Sequence, residues 1–229
     1  MKSAAQIRRE RDTDQLKQKN HQRIIRSAYA LFCRKGIEQT SFQEVADSAA
    51  IGVATVYRYF TNKGELAVHA AILNRQKGLQ SEIDRAFGSD AGGWQICSVL
   101  LYHVTIFLKT PEYFRFQEDF DSFISRLPEK PDAMAVYNET MGKQNRQLVE
   151  MIHNGIKDST FRTDRDLGQY YSMAAVAISS YAQKLINRKY MISREEVWKP
   201  EDQLKMLIDT LLSDMMTEKG RREYQSHVD

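Results

Sequence analysis

The chain has 229 residues, 42% of them hydrophobic, and a formal net charge of +3, which supports one large globular domain or two smaller ones and excludes a disordered chain. No run approaches the roughly 20 apolar residues that span a bilayer, and the first twenty residues lack the apolar segment of a signal peptide, so a cytoplasmic protein without a membrane partner is expected. Cys33 and Cys97 fit neither a zinc spacing nor a redox pair and are expected as buried, reduced thiols.

Residues 1–20 are polar and charged, which predicts a basic flexible arm or a loosely held extension of the first helix. Basic arms can track phosphate or reach into a minor groove. From 21 to 35, Ile24, Ala28, Leu31 and Phe32 keep helical spacing, and Gly36 ends the segment.

Residues 41–63 read SFQEVADSAAIGVATVYRYFTNK. Ser41 three residues before Glu44 is the spacing of a capping box, so a helix starts at Phe42 with Val45, Ala46 and Ala49 on one face. Gly52 marks a tight turn into a second helical run in which Val56 and Phe60 share a face. Gly52, Ala54 and Thr55 keep its first turn small, where bulk would hold a helix away from another surface. Tyr57, Arg58, Tyr59 and Lys63 supply hydroxyls and charge on the other side. Asn62 with Glu65 caps a third helix from Lys63. Helix, tight turn and helix with a small, polar leading end is the layout whose second helix enters the major groove of DNA. Spacing by itself leaves an ordinary helical hairpin open.

Beyond Lys63 a helical pattern continues through Leu66, Ala70, Leu73, Leu79 and Ile83 to the break at 88–93, where Asp90 sits among glycines. Helices are predicted over 94–109, stopped by Pro111, and over 112–126, ending before Pro128. Three more run from about 131 to 156, from Leu167 to about Arg188, and from Pro200 to about Met215. No segment alternates as a strand does, so the fold class is all-α with roughly nine helices.

Charge is unevenly spread. The first 66 residues carry twelve basic side chains, Lys2 and Arg8 among them, against seven acidic ones, while the remainder is slightly acidic. That asymmetry suits one end meeting phosphate.

The stretch ADSAAIGVATVYRYFTNKGEL resembles the DNA-binding signature of the TetR (tetracycline repressor) family, with its Ala-Asp, Thr-Val-Tyr, aromatic-Phe pair and Lys opening the next helix. One departure is Ala50, where the family usually has Gly. The resemblance implies a helix-turn-helix domain over 21–66, with its motif at about 42–61, and a helical ligand-binding and dimerisation domain over 67–229. It implies phosphate contacts at Tyr57, Tyr59 and Lys63, joined by Thr40 and Ser41 at a helix start, with Gly52, Val53, Thr55 and Arg58 facing base edges. It also implies a small-molecule effector in a cavity of the middle helices. Candidates there are Tyr102, Phe107, Phe116, Phe120, Tyr137 and Met141, with His103, Gln144 and Asn145 as polar groups. A helix pair is expected to form a homodimer through Ala174, Ala175, Ile178 and Ala182 on one helix and Leu204, Leu207, Ile208 and Leu211 on the other. Plain intramolecular core is equally compatible with that periodicity.

The implied function is a repressor released from a double-stranded DNA operator by its effector, with no enzyme activity and no cofactor. A DNA-bound chromosome-organising protein without a ligand is the alternative. A helical metalloenzyme is disfavoured, because Glu150 and His153 form a single Glu-x-x-His pair with no second copy.

Overall fold

The computed structural model describes residues 3–89, 92–188 and 199–228. Lys2 and Asp90 lie outside the described residues. Among those described are eleven α-helices: α1 (Ala4–Lys35), α2 (Phe42–Ser48), α3 (Val53–Tyr59), α4 (Lys63–Arg75), α5 (Ser81–Phe87), α6 (Trp94–Lys109), α7 (Glu112–Arg126), α8 (Met134–Lys157), α9 (Leu167–Arg188), α10 (Pro200–Met215) and α11 (Glu218–Val228). The architecture is all-α. Its count exceeds nine because a π-helical turn at Gln76–Gln80 divides the long helix and because α11 follows α10. None of the helices among the described residues is long and apolar enough to cross a membrane.

Two compact units are formed, Met1–Asn74 with Asp119–Tyr137, and Arg75–Glu118 with Asn138–Asp229. In the first, α1 buries Ile24, Ile25, Ala28, Leu31 and Phe32. The helix stops at Gly36, whose φ of +91° only glycine adopts freely and whose N–H donates to the Phe32 carbonyl at 2.8 Å. Residues 4–20 are the first turns of α1, so the extension and not a disordered arm is what the structure contains. The end of α7 also belongs to this unit. Asp119 accepts from the Ile37 N–H at 2.7 Å, and Arg126 pairs with Glu38 at 3.1 Å. Gly64 sits so close to Pro131 that a Cβ would lie 2.8 Å from its ring.

α2 opens with the expected capping box: the Glu44 N–H donates to Ser41 Oγ at 3.3 Å and the Ser41 N–H to the Glu44 carboxylate at 2.9 Å. A hydrogen bond from Lys35, then those from Ser41, hold the Glu44 carboxyl down to about 2. α2 closes in a Schellman arrangement, with the Ile51 N–H reaching Ala46 O at 3.0 Å and the Ala50 N–H reaching Asp47 O at 3.1 Å. Ala50 takes the left-handed position of that motif, with φ +50°. The turn's strained residue is therefore Ala50. Gly52 is extended (φ −71°, ψ 142°), which any residue can adopt. Arg23 of α1 donates from Nη2 to Ala49 O and, at 3.3 Å, to Ala50 O, satisfying carbonyls that the ending helix leaves open.

Phe60, 1% exposed, closes this core behind α3. His21 stacks on it at 5.2 Å and His69 meets it edge-on at 5.5 Å, with the two imidazoles 5.2 Å apart. Burial lowers the pKa of His21. For His69 burial also leads, with the neighbouring His21 adding to it and Glu65 opposing.

The second unit has its own core, built around Ile83, Ile96, Leu100, Met151, Ile178, Leu204, Ile208 and Leu212. α11 escapes prediction because its sequence is almost wholly polar. It docks because Gly220 rests on the Thr160 carbonyl, where a Cβ would come within 2.1 Å, and because Tyr224 packs 5.9 Å from Trp94.

Two outcomes follow from the first unit. An Ala50→Gly variant removes a left-handed strain of about 1–2 kcal/mol, offset in part by the looser unfolded chain, and should raise the unfolding midpoint by about 1–3 °C. A lower midpoint would show that Ala50 is relaxed. For His21 and His69 the folded pKa lies below the unfolded value near 6.5, so their stability contribution is complete above that pH. It is lost as pH falls through about 6.5 towards the folded values. Corrected for the slower intrinsic exchange at low pH, the protection factors of amides in α3 and α4 should therefore fall between about pH 7.5 and 5, and those of a His69→Phe variant should fall less.

Candidate nucleic-acid interface

α3 buries only Val56 of its seven residues, half-buries Val53, Thr55 and Tyr59, and exposes Ala54, Tyr57 and Arg58. Its direction is set from behind by Val56 and Phe60, and from its start by the Ala50 turn that Arg23 holds. Tyr57 is 58% exposed although its ring lies 4.8 Å from Phe42, so its hydroxyl edge faces outward from an aromatic support. The Arg58 guanidinium stands 5.9 Å over the Tyr59 ring.

Gly52, the N-cap of α3, is exposed, and a Cβ built there would meet nothing within 4 Å. The fold itself does not require a glycine at 52. A bare backbone at the leading end of a helix suits close approach by a partner surface.

The remaining residues expected at this surface divide. Lys63 is half-buried, with Nζ donating to Glu38 O at 2.8 Å, which leaves two of its three donors for another acceptor. Ser41 is exposed, its hydroxyl engaged with Glu44 in the capping box. Thr40 is a correction: it is 1% exposed and its hydroxyl donates inward to Gly36 O at 2.8 Å, so it braces the end of α1 and is turned away from any phosphate.

In the second unit, the residues expected to line a cavity do not form one set. Tyr102, His103, Phe107, Phe116, Met141 and Asn145 belong to this unit, whereas Phe120 and Tyr137, whose rings are 5.5 Å apart, belong to the first. Asn145 is exposed, which corrects its place among inward-facing polar groups; Gln144, one position earlier, is 2% exposed. Arg75 donates from Nε and Nη2 to Gln144 Oε1 (3.3 and 2.9 Å) and from Nη1 to the Tyr113 hydroxyl at 3.1 Å. Gln144 in turn donates to Gln80. Tyr113 reaches this cluster because Gly78, in the π turn, leaves room for its ring, which a Cβ would approach to 2.3 Å. His103 is 1% exposed with Nδ1 at 3.2 and 3.0 Å from the Val99 and Leu100 carbonyls, and burial pushes its pKa down to about 4.

Of the residues expected at a dimer interface, Ala174, Ile178, Ala182, Leu204 and Ile208 are wholly covered by their own chain, and Ala175, Leu207 and Leu211 pack partly against the same core. Helical spacing marks both faces of such a helix as apolar and cannot say which is covered. The exposed apolar side chains on α9 and α10 are Met173, Val176 and Met206.

Three residues that organise this arrangement escaped the sequence reading: Arg23, Asp119 and Arg75. Each bonds across a long stretch of chain, and no local pattern marks such a partner.

Comparison with known proteins agrees with the geometry. Residues 24–70 match the family model for bacterial regulatory proteins, tetR family. An HTH-type transcriptional regulator of Staphylococcus aureus (strain USA300) is 38% identical over 50 residues, which are 22% of this chain and 27% of that protein. The chain thus spans about a quarter of the length of the curated relatives it matches. Among solved structures, the transcriptional regulator FadR from Bacillus subtilis in complex with stearoyl-CoA aligns over 85% of this chain and 98% of its own, with a TM-score of 0.65 and 13% identity. The TetR family transcriptional regulator PfmR from Thermus thermophilus aligns over 83% and 97%, with a TM-score of 0.57 and 21% identity. These likenesses establish the fold. The segment that carries the helix-turn-helix of α2 and α3, residues 24–70, is thus similar in sequence to the amino-terminal domain of the tetR family of bacterial regulatory proteins.

Proposed function

We propose that the protein is a sequence-specific DNA-binding transcriptional regulator, a homodimer that sits on a palindromic operator as a repressor and leaves it when a small molecule binds. The observation that carries this reading is the outward face of α3. A second helix begins on an open glycine, Gly52, and presents an exposed tyrosine and arginine, Tyr57 and Arg58, while its other face is locked into the core by Val56 and Phe60.

Arg58 offers the one guanidinium on α3, suited to bidentate contact with guanine, while Gly52, Val53 and Thr55 meet base edges. Tyr57, Tyr59, Lys63 and Ser41 hold phosphate, supplying affinity and orientation without sequence information. A helix of seven residues reads too few bases for a unique site, so two copies about 34 Å apart are required. Met173 and Val176 on α9 and Met206 on α10, 48%, 67% and 57% exposed, give a second copy an apolar surface to cover.

The effector site is proposed at the polar cluster of Arg75, Gln144 and Tyr113, with His103 in the same unit's core. An effector that binds better to the DNA-free arrangement lowers operator affinity by its differential binding energy, typically about 1–3 kcal/mol.

Selection from a random duplex pool tests the reading: a palindrome should be enriched, and a pool left unchanged would dismiss it. On the selected duplex, Lys63→Ala should flatten the plot of log K against log salt by about one unit per protomer with base preference unchanged. Arg58→Ala should instead relax preference at one position of each half-site, by about 1–3 kcal/mol. A uniform loss of affinity on every sequence would move Arg58 to the phosphate contacts. Tyr57→Phe, which keeps the ring on Phe42, should cost about 1–2 kcal/mol if the hydroxyl meets phosphate, and nothing if it does not.

A further inference from the structure

Residues 8–19 of α1 do nothing for the core. Residues 8–19 are all exposed, Leu16 at 58% included, yet they continue the helix without a break. A helix of this length standing in water is marginal by itself, so the charges arranged on it have no packing role to explain them.

Their arrangement is ordered. Arg8, Arg11, Gln15, Lys19, Gln22 and Arg26 follow one another at three- and four-residue steps, and all six side chains are exposed. At about 100° per residue they fall within about 80° of arc, a single stripe of four cations and two amides. Asp12 stands at its edge. Off the stripe lie Arg9, Glu10 and Lys17 on the opposite half of the helix, with Asp14 beyond its other edge paired with Lys17 at 3.5 Å. The stripe is about 27 Å long, or about eight base-pair steps of a duplex.

Its carboxyl-terminal end is tied to the candidate interface. Arg23, between Gln22 and Arg26 on the next row of α1, donates to the Ala49 and Ala50 carbonyls of the turn that leads into α3. The row of donors therefore begins beside the helix-turn-helix and runs away from it along α1, within the same compact unit.

We infer that this stripe is a second DNA-contacting surface, one that lies along the phosphate backbone flanking the site read by α3 and lengthens the footprint without reading sequence. The inference rests on the DNA-binding reading above. Its occupant is the sugar-phosphate backbone of duplex DNA: guanidinium and ammonium groups at helical spacing match regularly placed phosphates, and the glutamines donate to the same oxygens. The contact would also complete the helix, because binding gives its exposed turns a surface to order against.

The test uses the full chain and a random-sequence duplex of about 40 base pairs, since phosphate contacts are indifferent to sequence. Binding is followed by anisotropy across a salt series. Exchanging Arg8, Arg11 and Lys19 together for Gln keeps helix propensity and removes three cations from the stripe. The slope of log K against log salt should fall by about two to three units per protomer, and the ratio of operator to random-duplex affinity should stay constant. Lys17→Gln, on the opposite face, should leave the slope where it was. An unchanged slope in the triple variant overturns the inference while leaving the DNA-binding reading intact. Equal losses from Lys17→Gln and Lys19→Gln would also overturn it, showing net charge and not the stripe to be responsible. Absence of any duplex binding by the unaltered chain would dismiss both together.

Discussion

At the junction of α2 and α3 an alanine is held in the left-handed conformation while an arginine from another helix binds the carbonyls around it. Ala50 at φ +50° reverses the chain so that α3 leaves at the angle its buried residues need, and the Arg23 guanidinium caps the Ala49 and Ala50 carbonyls that the reversal exposes. Without the first, α2 would run on; without the second, α1 would lose its bond to the turn. Val56 and Phe60 then have a fixed place to pack, and the outward residues of α3 acquire a direction. The presentation of Tyr57 and Arg58 follows from a backbone constraint three helices share.

That constraint is reinforced from two sides. Lys35 at the end of α1 binds Glu44 at the start of α2, so both ends of the seven-residue α2 are gripped by α1. Near Gly36, the Asp119 carboxylate receives the Ile37 N–H, and Glu38 serves both Arg126 through its carboxylate and Lys63 through its carbonyl. α7 supplies Asp119 and Arg126 to the unit that holds α3, while its first turns belong to the other unit.

The second unit makes a comparable use of a missing side chain. Gly78 in the π turn admits the Tyr113 ring, whose hydroxyl meets Arg75, and Gln144 joins that guanidinium to Gln80. α4, the π turn, α7 and α8 each contribute one side chain to this polar cluster, at the edge of a largely apolar core. Polar groups this well bonded add specificity to a core more than they add stability, because each has given up water to be there.

Much of the head was legible in sequence because its signals are local. The Ser41–Glu44 spacing, the apolar steps of α2, the small leading end of α3 and the Asn62–Glu65 cap each lie within one or two helical turns, and the structure contains them at those positions. The all-α class was likewise readable, from period and punctuation. Burial was not. Thr40 reads as a polar loop residue and turns inward; Asn145 and Gln144 are chemically alike, and only the helix phase separates exposed from buried. The same limit left Ala174, Ile178 and Leu204 open between a dimer interface and an intramolecular core, and in the structure their own chain covers them. Helical spacing identifies an apolar face, and what covers that face depends on elements far away in the chain. The sequence by itself determined where helices start and stop and which side chains an interface helix carries. Tertiary structure decided that Ala50 and not Gly52 bears the turn, that Arg23 holds it, and which side of each apolar helix its own chain covers, because each depends on backbone angles or partners that no local pattern encodes.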